Sequence, residues 1–355
     1  MDKNSHFERC RLTVDFAKSI YDNNSKTNTF AITWCLICFL KKPIMQRFLY
    51  ILFFALLAFQ SGAQPHTSVI SGTLERIEQF KSKFIAPLNV DIWLPESYNS
   101  KTKYSVLYMH DGQMLFDASS TWNHQSWDID DVATSLMKQG KVTPFIVVGI
   151  WSEGSTRHAT YFPEKPYESL SKDQLTEISV QLKKTGKSTD NFKPNSDNYL
   201  RFIVKELKPI INKKYSVYKD KRHTFIAGSS MGGLISMYAV CEYPQVFGGA
   251  ACMSTHWPGT FAVEGNPIPE AFVNYMRNHL PNPKNHRFYF DYGDKTLDAL
   301  YAPLQKKVDA VLKSRGFSTK NVKTVFFPGK DHSEKSWNER LDIPLLFLLP
   351  AESNH

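Results

Sequence analysis

Cysteine is scarce in this sequence of 355 residues, and so are long apolar runs and strong charge. Three of the five cysteines, Cys10, Cys35 and Cys38, precede residue 64. Only Cys241 and Cys252 follow, so this later part of the chain cannot be a small scaffold held together by many disulfides. A disulfide between them is one alternative, but both lie in apolar runs, which favours two buried thiols.

The chain also lacks the charge distribution of a nucleic-acid-binding protein. Its formal net charge is +9, but residues 1–63 carry eight Lys or Arg and four Asp or Glu, which leaves +5 on the remainder. That charge is spread along the chain, without the clustered arginines of a nucleic-acid surface. We therefore expect no nucleic-acid partner.

The apolar run Phe48–Phe59 is 12 residues long, which is too short to span a membrane comfortably. A basic start at residues 45–47 precedes it, and the small residues Ser61 and Ala63 follow it. This pattern is typical of a secretory signal peptide that is cleaved near Ala63. No cysteine follows for lipid attachment. We expect a secreted or periplasmic protein with no stable membrane anchor after cleavage.

The chain is predicted to contain one folded domain. Residues 1–44 are interpreted as an upstream extension outside the fold, with a long signal-anchor region as the alternative. Residues 45–63 are the predicted signal peptide, and residues 64–355 form the predicted domain. A composition that is 42% hydrophobic and 14% aromatic suits a globular protein with an ample core.

Strand-like and helix-like runs alternate along residues 64–355. The predicted strands are Asn89–Leu94, Tyr104–Met109, Pro144–Ile150, His223–Ala227, Phe247–Cys252, Arg287–Tyr292 and Val322–Phe327. The predicted helices are about Ile129–Gln139, Tyr199–Lys213, Met231–Glu242 and Tyr301–Ser314. This alternation predicts an α/β fold, and the continuous apolar strands indicate a mostly parallel, doubly wound sheet with helices on both faces.

One long stretch, residues 152–197, fits neither pattern and is predicted to be irregular. It follows a central predicted strand, so it should emerge at the carboxyl edge of the sheet, where ligands bind in open α/β folds. A connection this long usually has a function of its own or is disordered. We interpret it as a lid-like insertion.

The most informative motif is Gly228–Gly233, which reads Gly-Ser-Ser-Met-Gly-Gly and fits the pattern G-x-S-x-G around Ser230. The pattern places its serine on a sharp strand-to-helix turn. Glycines two residues to either side keep side chains out of that crowded turn. An apolar strand-like run precedes the motif and an apolar helix-like run follows it. Ser230 is therefore a candidate nucleophile, with an idle serine in a glycine-rich turn as the alternative.

A serine nucleophile needs a base, and the base needs an acid that orients it. In folds with this turn the chain order is serine, acid, histidine. His332 follows the last predicted strand and is the candidate base. The acid is expected after the strand Arg287–Tyr292. Asp298 is preferred because it precedes a predicted helix that it could also cap, and Asp294 on the same loop stays open.

The oxyanion that forms when a serine attacks a carbonyl group needs two N–H donors. Met231, directly after the nucleophile, is predicted to supply one, and the loop after the strand Tyr104–Met109 the other. In that loop Gly112 permits a close turn and Gln113 offers its N–H. His110 precedes this turn, but no His, Cys or Glu set at metal-ligand spacing accompanies it. We expect no metal and no cofactor.

Together these features resemble the esterase D-like group of α/β hydrolases, which includes enterochelin esterases, feruloyl and acetylxylan esterases, S-formylglutathione hydrolases and mycolyltransferase antigens. The resemblance covers most of residues 88–342. It rests on the motifs Val90–Pro95, Leu107–Gln113, Trp127–Asp130, Gly228–Gly233, Tyr243–Gly248 and Pro328–His332.

The resemblance implies an α/β-hydrolase fold. It implies Ser230 as the nucleophile, His332 as the base, and Gln113 and Met231 as the oxyanion donors. The group often places its acid three residues after a strand-end glycine, and this chain has Thr296 at that position. Some siderophore esterases of the group manage with serine and histidine alone, so the resemblance leaves the acid open.

The combined expectation is an exported serine esterase that hydrolyses a carboxylic ester through an acyl-enzyme. The substrate is expected to be a small-molecule or glycan ester, either a carbohydrate-linked acyl ester or a siderophore ester. Trp127, Arg157, His256 and Trp257 are predicted to contact it, since aromatic rings can stack on a sugar or an aryl group. The alternatives are an acyltransferase of the same fold and a non-catalytic glycan-binding member.

Overall fold

The computed structural model describes residues 67–186, 192–260 and 265–351, all within one compact unit, Thr67–His355. The predicted upstream extension and signal peptide lie outside the described residues and stay predictions. Within the described ranges, no helix combines the length and the apolar character that crossing a membrane would require.

Among the described residues, eight strands form one sheet with the order β1-β2-β4-β3-β5-β6-β7-β8. The strands are β1 (Thr73–Phe80), β2 (Leu88–Leu94), β3 (Ser105–His110), β4 (Phe145–Ile150), β5 (Thr224–Ser229), β6 (Gly249–Met253), β7 (Arg287–Tyr292) and β8 (Val322–Phe326). The β1–β2 and β2–β4 pairs are antiparallel, and the remaining pairs are parallel. The predicted mostly parallel α/β sheet is confirmed.

Helices cover both faces of this sheet. They are α1 (Ile129–Lys138), α2 (Arg157–Tyr161), α3 (Glu164–Glu168), α4 (Lys172–Lys184), α5 (Ser196–Phe202), α6 (Lys208–Lys214), α7 (Met231–Glu242), α8 (Ile268–His279), α9 (Ala302–Ser314), α10 (Glu334–Asn338) and α11 (Asp342–Leu348). A π-helical turn, Ile203–Leu207, joins α5 to α6. Strands β3, β4, β5 and β6 are buried at every position because apolar helices pack on both sides.

The core has two layers, one on each face of the sheet. Helices α5 to α9 pack on one face, and α1 and α11 pack on the other. Helix α7 is buried at all but its last residue and lies against β5 and β6. Cys241 and Cys252 are buried free thiols in this part of the core, as their apolar surroundings predict. Helix α7, which directly follows Ser230, is therefore among the most firmly fixed elements of the molecule.

Two parts of the fold differ from the sequence-based expectation. Residues 152–197, predicted to be irregular, contain α2, α3 and α4. Helices α2 and α3 have only five residues each, too short for an apolar periodicity to show in the sequence. Strand β1 was not predicted, because it lies at the sheet edge and its side chains are mainly polar.

Candidate active site

Ser230 lies on the turn between β5 and α7, with φ 59° and ψ −122°. Few residues other than glycine adopt a positive φ, so the turn holds Ser230 in a strained backbone conformation. The turn closes tightly: a Cβ on Gly228 would lie 2.9 Å from the backbone of Gly232, and one on Gly233 would lie 2.8 Å from Thr255 Oγ1. These glycines let the strand and the helix approach closely enough to leave Ser230 half-buried at the turn.

His332 meets Asp298 across the loops that follow β8 and β7. The His332 Nδ1 atom lies 2.7 Å from Asp298 Oδ1. A carboxylate only accepts hydrogen bonds, so Nδ1 carries the proton and Nε2 is the ring nitrogen left to act as a base. Asp298 is wholly buried, and its other oxygen accepts hydrogen bonds from Ser254 Oγ at 2.6 Å and Gly293 N at 2.7 Å.

The other acid candidate points elsewhere. Asp294 Oδ1 accepts a hydrogen bond from Gly329 N at 2.8 Å, and its side chain is 39% exposed. Thr296, at the position where the resemblance leads one to expect an acid, accepts a hydrogen bond from the backbone N of His332 at 3.0 Å. The structure therefore brings Asp298, rather than Asp294, to the imidazole of His332.

The Ser230 hydroxyl forms no hydrogen bond with another described residue. Its loop and that of His332 nevertheless share one edge of the sheet, because both follow the carboxyl ends of parallel strands. The loop after β6, which lies between them, is hydrogen-bonded to the Ser230 turn, since His256 N donates to Ser230 O at 3.1 Å. Hydrogen bonds between a nucleophile and its base are often long when no substrate is bound.

The two predicted oxyanion donors occupy the starts of helical turns. Met231 is the first residue of α7, and Gln113 is the second residue of the 3-10 helix Gly112–Met114. The first N–H groups of a helix have no acceptor within it, so both are available to a ligand. The two turns are close neighbours: a Cβ on Gly232 would lie 3.6 Å from Asp111 Oδ2.

Arg157 is bound to the start of this 3-10 turn. Its Nε and Nη2 atoms donate to the two carboxylate oxygens of Asp111 at 2.6 and 2.7 Å. Ser152 Oγ also donates to Asp111 at 2.6 Å, and the Gln113 side chain donates to Ser152 Oγ at 2.9 Å. Burial alone would raise the pKa of Asp111, but the guanidinium and the hydroxyl hold it below its usual value.

The aromatic residues predicted to contact substrate lie mainly in the interior. Trp127 is 3% exposed and packs on Trp337, and Trp257 is 2% exposed and donates to Gln305 Oε1 at 2.8 Å. Arg157 keeps part of its side chain exposed while it binds Asp111. Substrate contact by these three residues stays a prediction.

His256, the fourth predicted substrate residue, is buried beside the histidine loop. Its Nδ1 lies 2.8 Å from the hydroxyl of Tyr301, whose ring also contacts His332. Burial, reinforced by the neighbouring His332, lowers the pKa of His256 to about 3. His256 is therefore neutral near neutral pH, and one of its ring nitrogens donates a hydrogen bond while the other accepts one.

Sequence reasoning missed the side chains that hold the candidate acid Asp298 and the 3-10 turn Gly112–Met114, which is the oxyanion turn of the candidate site. Ser254 and Arg340 lie behind Asp298, and Asp111 fixes the turn that carries Gln113. The positive φ of Asp111, 56°, and of Ser254, 40°, cannot be read from the residue types. The described residues include no group of three or more His, Cys, Asp or Glu arranged to hold a metal ion.

Comparison with known proteins places this chain in a family. A family model described as "Putative esterase" matches residues 84–346. An endo-1,4-beta-xylanase/feruloyl esterase of Xylanibacter ruminicola is 25% identical over 264 residues, 71% of this chain and 28% of that protein. Ferri-bacillibactin esterase BesA of Bacillus subtilis is 26% identical over 209 residues, 58% of this chain and 66% of that protein.

The chain spans between 28% and 66% of the length of four curated relatives that it matches. A solved structure of a ferulic acid esterase superposes with a TM-score of 0.56 at 19% identity, over 79% of this chain and 99% of that one. At this identity the superposition shows a shared fold. The family match covers the described sheet from before β2 to within α11, including every loop that carries a candidate site residue. The chain therefore belongs to the family described as Putative esterase.

Proposed function

We propose that this protein is a serine esterase that hydrolyses a carboxylic ester through a covalent acyl-enzyme. The observation that carries the proposal is the 2.7 Å contact between His332 Nδ1 and the buried carboxylate of Asp298, at the same sheet edge as the strained Ser230 turn. This contact fixes the histidine tautomer that a serine nucleophile needs.

In the first half-reaction the Ser230 oxygen attacks the ester carbonyl carbon while His332 Nε2 takes the hydroxyl proton. The carbonyl oxygen becomes an oxyanion, which the N–H groups of Met231 and Gln113 stabilise. Asp298 stabilises the imidazolium that forms. The intermediate then collapses as the bond to the alcohol oxygen breaks, and His332 returns its proton to the departing alcohol. The acyl group remains on Ser230.

In the second half-reaction water replaces the alcohol. His332 Nε2 takes a proton from water, and the resulting hydroxide attacks the acyl carbon. The second intermediate collapses with cleavage of the bond to the Ser230 oxygen, which recovers its proton from His332. The carboxylic acid leaves and the enzyme is regenerated. Every proton transfer uses the same nitrogen, so the buried Asp298 contact is needed in both halves.

The proposed substrates are carbohydrate-linked acyl esters or siderophore esters. Two relatives support these classes by name: one is a xylanase/feruloyl esterase and the other a ferri-bacillibactin esterase. Parallel assays of a feruloylated oligosaccharide and a catecholate siderophore ester would separate the two classes. An acyltransferase would instead pass the acyl group to an added acceptor alcohol, which product analysis would detect.

The proposal is tested by steady-state hydrolysis of p-nitrophenyl acetate with residues 64–355. We expect Ser230→Ala and His332→Ala each to lower kcat by at least about 10³-fold, because residues of such a set act as a unit. Ser229→Ala is the matched control, since Ser229 is a buried serine one residue earlier, in β5. Retention of wild-type turnover by Ser230→Ala would refute the mechanism and favour a non-catalytic binding protein.

A matched pair of variants tests which aspartate is the acid. We expect Asp298→Asn to lower kcat by about 10³- to 10⁴-fold, because an amide can hold the wrong histidine tautomer. Asp294→Asn keeps an oxygen that can accept from Gly329 N and is expected to remain close to wild type. The reverse result would assign the acid to Asp294.

We also propose that the protein is exported, on the basis of residues 45–63. Expression of the full chain in a bacterium, followed by mass spectrometry of the periplasmic and secreted fractions, should find a mature N-terminus near residue 64. An intact N-terminus in the cytoplasmic fraction alone would contradict export without affecting the proposed chemistry.

A further inference from the structure

A buried hydrogen-bond network contacts Oδ2 of Asp298, the carboxylate oxygen that does not face His332, and the ring of one member, Trp337, also packs against the His332 imidazole. Its centre is Ser254, which follows β6 and is wholly buried. The Ser254 hydroxyl is surrounded by three partners: Asp298 Oδ2 at 2.6 Å, Trp337 Nε1 at 3.0 Å and Arg340 Nη2 at 2.9 Å. The four side chains come from the segments after β6 and β7 and from the segment that follows the His332 loop.

The chemistry of these partners fixes the direction of the Ser254 proton. An indole N–H and a guanidinium only donate, so Trp337 and Arg340 occupy the two acceptor positions of the hydroxyl oxygen. The remaining position carries the hydroxyl proton, and the acceptor that it reaches, at 2.6 Å, is Asp298 Oδ2. Ser254 therefore donates to Asp298 in a charge-assisted hydrogen bond, which is stronger than a neutral one.

Asp291 on β7 fixes two members of the network, Arg340 and Ser254, by accepting hydrogen bonds from both. Arg340 is 2% exposed and donates to Asp291 through Nη2 at 2.9 Å and Nε at 3.2 Å. The backbone N of Ser254 also donates to Asp291 Oδ1 at 3.0 Å. Asp291 belongs to β7, whose register with β6 pairs it with Met253, the residue before Ser254. The rigid sheet therefore fixes Ser254, and Ser254 fixes the acid.

We propose that Ser254 is the positioning residue for the proposed catalytic acid. With Gly293 N, it holds Asp298 Oδ2 so that Oδ1 faces His332 Nδ1. Arg340 and Trp337 polarise its hydroxyl and prevent it from rotating. This inference rests on the proposed function, because its effect on rate passes through Asp298 and His332. Ser254 itself does not contact the imidazole.

The first test is Ser254→Ala in the ester assay. Loss of a hydrogen bond to a charged group should lower kcat by about 10- to 100-fold and leave KM unchanged. Ser196→Ala is the matched control. Ser196 is equally buried and its hydroxyl accepts a hydrogen bond from Glu164 N, but it lies in α5 and contacts neither Asp298 nor His332. We expect this control to keep wild-type kcat.

The second test is a double-mutant cycle with Asp298→Asn. If Ser254 acts through the acid, adding Ser254→Ala to Asp298→Asn should change kcat by less than about twofold. General damage to the site would instead lower kcat by the same factor in both backgrounds, and that result would overturn the inference. If Ser254→Ala does not fold, Ser254→Gly replaces it, because glycine suits the φ of 40° at this position.

Proton NMR tests the contact between His332 Nδ1 and Asp298 Oδ1 without a measurement of turnover. The proton on His332 Nδ1 should give a low-field proton resonance in the wild type and in Ser196→Ala, and it should shift upfield or exchange faster in Ser254→Ala. An unchanged resonance with wild-type kcat in Ser254→Ala, beside an impaired Asp298→Asn, would overturn the Ser254 inference alone. Wild-type kcat in Asp298→Asn would overturn the proposed function and the inference with it.

Discussion

At the scale of single residues, the backbone of Ser230 has the clearest energetic consequence. Its φ of 59° and ψ of −122° lie in a backbone region that residues with a Cβ atom rarely adopt. Such a residue costs the fold on the order of 1–3 kcal/mol, which the surrounding packing must offset. Helix α7 supplies that packing, because it is buried against β5 and β6 along almost its whole length. The strain therefore falls on the residue that is the proposed nucleophile.

This strain predicts an order of stability for two variants that the proposed mechanism makes inactive. Ser230→Gly relieves the strain while Ser230→Ala keeps it, and glycine also gains freedom in the unfolded chain. The net expectation is that Ser230→Gly is more stable than Ser230→Ala by about 1 kcal/mol. Urea unfolding of the two variants measures this difference. Equal midpoints would contradict this order and would mean that the strain is no larger than the entropic cost of the glycine in the unfolded chain.

At the scale of elements, the insertion between β4 and α5 is joined to the oxyanion turn by charge. Helix α2 begins at Arg157, which donates two hydrogen bonds to the Asp111 carboxylate. Asp111 directly precedes the 3-10 helix that presents Gln113. The insertion is thus connected to the proposed chemistry through this ion pair, together with the hydrogen bonds that Ser152 forms with Asp111 and Gln113. Sequence alone could indicate that the insertion lies at this edge, but not which of its side chains reaches the turn.

We expect Arg157→Met to destabilise the fold by about 3 kcal/mol, because it leaves the buried Asp111 carboxylate without its cation. Adding Asp111→Asn should recover part of that loss, since the amide needs no counter-charge. Urea unfolding of both single variants and the double variant provides the measurement. Additive losses would show that the two side chains do not stabilise each other.

The same ion pair is expected to affect catalysis through the oxyanion turn. Arg157→Lys keeps the charge but cannot form the two parallel hydrogen bonds of a guanidinium. Its kcat should fall by about tenfold, the equivalent of one lost hydrogen bond. Steady-state hydrolysis compared with Lys165→Arg, a charge-conserving change on α3, checks this. An Arg157→Lys variant with wild-type kcat would show that the turn is fixed without the bidentate pair.

At the scale of the whole molecule, one buried lysine links stability to pH. Lys208 begins α6, is 7% exposed, and donates to Thr224 Oγ1 at 3.3 Å. Burial lowers the pKa of Lys208 to about 8, against an ordinary value of 10.5. Between these values the unfolded chain binds more protons than the folded one. The lysine contribution to the unfolding free energy therefore rises with pH across this window and is at its lowest below pH 8.

We expect Lys208→Met to be more stable than the wild type near pH 7, by up to about 3 kcal/mol. The advantage should shrink as the pH rises from 8 towards 10.5, because the wild-type lysine then loses its charge in the folded state. Thermal or urea unfolding of both proteins at several pH values tests this. A pH-independent difference would mean that Lys208 is solvated in the folded protein.

The sequence was sufficient for the features that depend on local pattern. The alternation of apolar runs predicted the α/β sheet, and β7, β8 and α7 lie almost where the runs place them. The glycine spacing around Ser230 predicted the strand-to-helix turn. These features are local, because a parallel strand or a sharp turn constrains the residue types within it.

The choice among residues on one loop depended on the tertiary structure. Asp294 and Asp298 are four residues apart, and only the folded loop shows that Asp298 faces inward to His332 while Asp294 faces Gly329. The partners Ser254 and Arg340 are more distant still, at 44 and 42 residues from Asp298 in the sequence. The direction of a side chain is set by packing between elements that meet only in three dimensions. The sequence by itself therefore determined the fold and the strand-to-helix turn of Ser230, and the tertiary structure alone decided which carboxylate contacts His332 and which hydrogen bonds hold that carboxylate.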